Sequence, residues 1–184
     1  MKYYFYFICL LFIFSCSGDD SLSISSFGKV SASIDGYNWT GEIISFTSNV
    51  NDPSKFDMNI KSNQSIEGVE EFLSFQRIAS VEFPQRVYSL DLDSSFADSL
   101  RASLTTVLGG DAIDDLYYID SENNTSFIQI IESDKDKLEV KGIFYCDFEL
   151  ERDGSTDSDS NPPQELLFAD GQFTAKVPAS WFDN

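Results

Sequence analysis

The chain has 184 residues, 42% of them hydrophobic and 23% charged, with 31 acidic against 12 basic side chains, no histidine and a formal net charge of −19. Such core-forming content excludes a wholly disordered chain, and no repeat at solenoid or propeller period disturbs the default of one domain. The acidic excess excludes nucleic acid and anionic lipid head groups as electrostatic partners, because both would be repelled.

At the N-terminus, Lys2 is followed by an apolar run from Tyr3 to Phe14 and then by Ser15-Cys16. A spanning helix needs roughly 20 apolar residues at 1.5 Å rise each, so this shorter run reads as an export signal over 1–15 and not as a lasting anchor. Ile13-Phe14-Ser15-Cys16 resembles the lipobox of bacterial lipoproteins. That resemblance implies cleavage before Cys16 and acylation of its thiol, which makes Cys16 the lipid anchor. Each buried methylene then contributes about 0.8 kcal/mol, and two or three acyl chains hold a water-soluble domain to a membrane. Cys16-Ser17-Gly18-Asp19-Asp20 is similar to the short acidic export signal of surface lipoproteins of Bacteroidota, implying display on the cell surface. Read as residues alone, the same tract is a flexible, solvated tether over 16–26, and the periplasmic face of the outer membrane is the alternative.

The anchor also settles the cysteine arithmetic. Cys9 leaves with the signal and Cys16 is acylated, so Cys146 has no disulfide partner. The remaining domain, 27–184, must be stabilised by its core, and it is long enough to build one.

From there the pattern is mostly period two. Val30, Ala32 and Ile34 alternate with polar residues, predicting a half-buried strand, and Asp35-Gly36 supplies the positive φ angles of a tight turn. Trp39 to Phe46 returns as a second strand with Trp39 directed to the core. Further strands are predicted at Phe56 to Ile60, Phe72 to Val81 and Val87 to Leu92. Phe96, Leu100, Leu104, Val107 and Leu108 then fall on one helical face, with Asp93-Ser94-Ser95 as N-cap and Gly109-Gly110 as stop, predicting one inserted helix that packs on the sheet. Strands resume at Leu116 to Ile119 and Ser126 to Ile131. In the clearest one, Val140, Gly142, Phe144, Cys146, Phe148 and Leu150 form one face and Lys141, Tyr145, Asp147 and Glu149 the other. Cys146 therefore points inward, as an inert core thiol. A last strand runs from Glu165 to Val177, interrupted at Asp170-Gly171. The expectation is an all-β domain, an antiparallel β-sandwich or flattened barrel of about eight to ten strands.

Ala32-Ser33-Ile34-Asp35-Gly36-Tyr37-Asn38-Trp39 near the mature start, Val140-Lys141-Gly142-Ile143-Phe144 and Asp170-Gly171-Gln172-Phe173 near the end resemble, in that order, a family of small β-rich Bacteroidota lipoproteins. The Phe96 to Leu108 segment reads as an addition to that pattern. The family carries no assigned activity, so the resemblance bears on fold and location.

Without histidine there is no Ser-His-Asp or Cys-His arrangement and no usual zinc site, and no phosphate loop or dinucleotide fingerprint calls for a cofactor. Carboxylate chemistry survives, since a glycosidase needs two acids about 5 to 10 Å apart. Asp111, Asp114 and Asp115 ahead of Tyr117 and Tyr118 form the most site-like cluster and the candidate ligand surface, with a solvated loop as the bland reading. Trp181 could also stack on a sugar ring, although aromatics of β domains are more often core. The tract from Glu151 to Gln164 fails the calcium-loop spacing: with Asp157 as first ligand, Pro162 stands where glycine is required and Phe168 where the bidentate glutamate belongs. It reads as a hairpin loop. The favoured function is a non-enzymatic binding or accessory domain, partnered by an outer-membrane complex or a glycan. The alternative is a carboxylate-dependent glycan hydrolase.

Overall fold

A computed structural model describes residues 26–64, 69–89, 98–108, 112–122, 125–152, 154 and 162–183. Among these residues ten strands follow in chain order: β1 (Gly28–Ile34), β2 (Tyr37–Ser48), β3 (Lys55–Ser62), β4 (Val69–Ala79), β5 (Gln85–Arg86), β6 (Arg101–Leu108), β7 (Ala112–Ile119), β8 (Phe127–Asp134), β9 (Glu139–Arg152) and β10 (Glu165–Lys176). The protein is all-β, and the choice between sandwich and barrel falls to the barrel. Strands β10, β1, β2, β3, β4, β6, β7 and β9 stand side by side in that order, and β9 pairs back onto β10 to close an eight-stranded antiparallel ring.

The long strand β9 closes the wall twice. Its upper residues, Phe148 to Arg152, pair with β7, while its lower residues, Glu139 to Tyr145, pair with β8 on the same edge. Between those partners the chain leaves and rejoins β9: the Asp120 N–H donates to the Asp147 carbonyl at 2.9 Å, and the Asp147 N–H donates to Ser126 Oγ at 3.0 Å. Beyond β8, Gln85 and Arg86 pair with Ile128 and Phe127, and Tyr88 bridges to Arg101 at the start of β6. The upper wall is thus completed through β7 and the lower wall through β8 and β5.

An eight-stranded barrel is just wide enough for side chains to fill it, and alternation along each strand decides which ones do. On β9, Val140, Gly142, Phe144, Cys146 and Phe148 are buried while the intervening residues are half-buried. Inside, Trp39 meets Phe168 edge to face at 5.2 Å, Phe168 meets Phe148 at 5.6 Å, and Phe75 meets Phe144 at 5.4 Å. These T-shaped contacts add to the burial of apolar area itself. The Trp39 Nε1–H donates to Glu71 Oε2 at 2.8 Å, which satisfies the one polar group of that ring. At the lower rim, a 3₁₀ helix, Ala179–Asp183, seats Trp181 against Phe46 and Phe56 at 5.5 and 4.6 Å.

The turns agree with the residues that make them. Asp35 and Gly36 have φ of 48° and 86°, both in the left-handed region that the two-residue hairpin loop demands. The predicted interruption of the last strand is a register shift of β10 between Phe168 and Gly171, with Asp170 at φ 53°.

The inserted helix is corrected. Arg101 to Leu108 is strand β6, hydrogen-bonded to β4 and β7, and Ala102, Ser103 and Leu104 are the residues it buries, with Leu100 buried just ahead of it. Phe96 and the proposed caps lie outside the described residues. Of the strand expected at Val87 to Leu92, the described part, Val87 to Ser89, follows directly on β5 and holds a single bridge at Tyr88, while Leu90 to Leu92 lie outside the described residues.

Candidate functional site

Asp111 lies outside the described residues, as does Cys16. The rest of the predicted ligand surface is divided by the pleat of β7, since successive strand residues point to opposite faces. Tyr117 faces inward at 1% exposure and belongs to the core, whereas Tyr118 faces outward beside Glu149 and Glu151 in a cleft of about 90 Å³. Asp114 and Asp115 are half-buried, and the Asp115 carboxylate serves the backbone beside it. The Asp115 N–H donates to Thr106 Oγ1 at 2.7 Å, and Asp115 Oδ1 accepts from the Gly154 N–H at 3.4 Å. Gly154 comes so close to the Asp114 carbonyl that a Cβ would lie 1.6 Å from its oxygen, so this position holds glycine by contact. Trp181 is also core, at 3% exposure.

Among the described residues, two carboxyls are displaced from their ordinary range, both downward, Asp52 in the loop before β3 and Asp134 at the end of β8. The Ser54 hydroxyl and backbone hold Asp52 low, and the Lys137 ammonium and backbone hold Asp134 low. A general acid at neutral pH needs the opposite shift. Among the described residues, no three His, Cys, Asp or Glu side chains converge in a manner that would hold a metal ion.

A different surface gathers chemistry, on the outer face of β8, β9, β10, β1 and β2. Ile128 and Ile130 point inward, so the intervening phase of β8 turns Phe127 outward, and Tyr145 stands out of phase with Phe144 and Cys146 in the same way. Phe127 and Tyr145 are paired directly across the strands, and their rings are nearly parallel, at 8°, with centroids 6.5 Å apart. On the other side of Phe127, in register, lies Arg86, whose guanidinium sits 4.7 Å from the Tyr88 ring centre. Ile143 is the next outward residue of β9, flanked by Gln129 and Gln172 on its two neighbours.

Beside these rings the surface sinks into two depressions that share Ile143 and Gln172. The smaller, about 230 Å³, is lined by Phe127, Tyr145 and the bulge residue Asp170. The larger, about 540 Å³, crosses β9, β10, β1 and β2, with hydroxyl and amide side chains of Ser31, Thr40, Thr174 and Gln172 around it. Its cations are matched by carboxylates. Lys141 Nζ lies 2.8 Å from Glu132 Oε2, and Lys29 is directly opposite Glu42 in the β1–β2 register. The trough is therefore of mixed character, with Ile131 and Ile143 beside the hydroxyl and amide groups, and close to neutral on a strongly acidic protein.

The sequence carried a signal for this face. An aromatic residue on the polar phase of a strand has no core to join, and Tyr145 and Phe127 are both such residues. What the sequence lacks is the pairing of β8 with β9, which turns two separate rings into one platform. Comparisons of the chain with protein-family models, with curated proteins and with solved structures find no match.

Proposed function

We propose that the chain is an outer-membrane lipoprotein, held by acyl chains on Cys16 and displayed on the cell surface, whose barrel is a non-enzymatic binding domain. The observation that carries the binding role is the contrast between the two faces of the wall. A small barrel either fills its lumen with side chains or holds a ligand there. Here Trp39, Phe75, Phe144 and Phe168 fill it, so recognition falls to the outer trough. The resemblance of Ile13 to Cys16 to a lipobox supports the anchor. Among the described residues, backbone bonding begins at Phe27 at the lower rim, whose N–H donates to the Ile43 carbonyl and whose carbonyl accepts from the Lys176 N–H, so a tether ending at Ser26 would join the barrel there.

Protease shaving of intact cells, read by immunoblot beside a periplasmic control, tests the location. The expected result is loss of the wild-type band with the control intact, and release of a Cys16→Ala variant from the membrane fraction. Protection until the outer membrane is permeabilised would overturn surface display, and membrane retention of Cys16→Ala would overturn the anchor.

A further inference from the structure

We infer that the Phe127–Tyr145 platform and the trough beside it form a binding site for a neutral oligosaccharide. This rests on reading the barrel as a binding domain, and it adds the ligand class and the residues that recognise it.

Three observations converge on that chemistry. First, a pyranose presents a face of C–H groups that packs on an aromatic ring, and two nearly parallel rings held in register on adjacent strands offer two such positions. Both rings are half-buried, so each keeps part of its surface open to solvent on the outer side of the sheet. Second, the trough that continues from the rings is lined by groups that exchange hydrogen bonds with hydroxyls. Gln172 sits at the junction of the two depressions, and Ser31, Thr40 and Thr174 extend the polar lining across β10, β1 and β2. From β8 to β2 is four strand spacings of about 4.8 Å, a length that suits a short chain of sugars better than a single one.

Third, charge selects the glycan. Of the trough's cations, Lys141 is ion-paired with Glu132 and Lys29 stands across the strands from Glu42, and the whole protein carries a net charge of −19. A polyanionic chain would meet repulsion without a compensating free cation cluster. An extended peptide would dock most readily by adding to a strand edge, yet β9, β10 and β1 are each hydrogen-bonded on both sides and present only their face. A neutral chain of hydroxyls and C–H faces is the ligand that fits.

The test uses the full lipidated protein in a detergent without a sugar head group. Soluble neutral oligosaccharides, of gluco-, xylo-, manno- and galacto- type, are titrated by calorimetry and examined by saturation-transfer NMR, with a sulfated and a uronic-acid oligosaccharide beside them. The expected result is binding of at least one neutral glycan, with saturation of its ring C–H protons. Tyr145→Ala and Phe127→Ala should each weaken it by about tenfold, the change that a lost stacking contact of about 1.4 kcal/mol produces. Tyr145→Phe should retain it, and Tyr118→Ala, outside the platform, should leave it unchanged. Thermal melts of each variant identify any that fail to fold, and for such a variant Gln172→Ala serves in its place.

Binding of no neutral glycan overturns the inference, as does binding that survives both ring substitutions in folded protein, or preference for the acidic probes. Each of these leaves the anchor and location untouched, because those are read by shaving and fractionation and not by titration.

Discussion

The Phe173 ring lies over Gly142, its partner in the β9–β10 register, so closely that a Cβ at position 142 would come 2.2 Å from Phe173 Cζ. The empty space above the glycine is filled by its neighbour's ring, inside the wall and beneath the floor of the trough. Gly142→Ala should therefore destabilise the fold by about 1–3 kcal/mol, the usual cost of overpacking. Combining it with Phe173→Leu should recover part of that loss. Urea denaturation of the two single variants and the double variant measures the coupling, and strictly additive losses would show that the two residues do not share the space.

Trp181 should carry more stability than its place near the chain end suggests. It is 3% exposed and packs on Phe46 and Phe56 across the lower opening of the barrel. Trp181→Ala should cost about 3–5 kcal/mol, as truncation of large buried aromatics does. A thermal melt displaced by no more than that of a surface substitution would refute the plug.

Asp57 holds a strand irregularity in place. Its two carboxylate oxygens accept from Asn49 Nδ2 at 3.0 and 2.9 Å, and Oδ1 also accepts from the Arg77 N–H at 2.9 Å, where Arg77 has φ 69° beside the register shift of β3 and β4. Asp57→Ala leaves those donors without their acceptor and should cost about 1–3 kcal/mol. Hydrogen exchange should show the Arg77 amide losing protection before the rest of β4. Unchanged protection there would mean that the carboxylate is not what secures the bulge.

Cys146 should make the protein sensitive to alkali. Burial pushes its thiol up, with the neighbouring Asp147 carboxylate adding to the effect. The unfolded chain loses that proton above about pH 8.5 while the folded one keeps it, so stability falls as pH rises, with a slope approaching about 1.4 kcal/mol per pH unit. Below that range the group contributes no pH dependence. In denaturation experiments under reducing conditions, the stability difference between wild type and Cys146→Ala should narrow on the alkaline side. Parallel pH profiles would refute the linkage. Alkylation at Cys146 should likewise occur only on unfolding, as peptide mass mapping can report.

Most of the wall was legible because alternation is a strong signal when one face is packed, as in Val140 to Phe148, and because Asp35-Gly36 allows few turns but a hairpin. The segment from Phe96 to Leu108 was not, for a definite reason. Phe96, Leu100, Leu104 and Leu108 recur every four residues, a spacing that fits one helical face and equally one face of a strand. The residues that break the tie are Thr105, Thr106 and Val107, whose β-branched side chains prefer the extended chain. Leu108, counted toward the helical stripe, is half exposed at the end of β6. The candidate ligand surface took Tyr117 and Tyr118 together, though a strand sends such neighbours to opposite sides, and Tyr117 is in the core. The Phe127–Tyr145 pair depends on which strands become neighbours, and no local pattern encodes that.

The seam between β1 and β10 has a kinetic consequence. Val30 pairs with Phe173, and Gly28 with Ala175, so the first strand made finds one of its two partners only when the last is present. Loop closure over nearly the whole domain must precede those contacts, which places them among the late, slow events of folding. Until then β1 and β9 each keep an open edge, the kind of template that invites pairing with another chain. Loss of residues beyond Gln164 would make that vulnerable interval permanent, so a truncated product should be recovered as aggregate and not as a smaller folded domain.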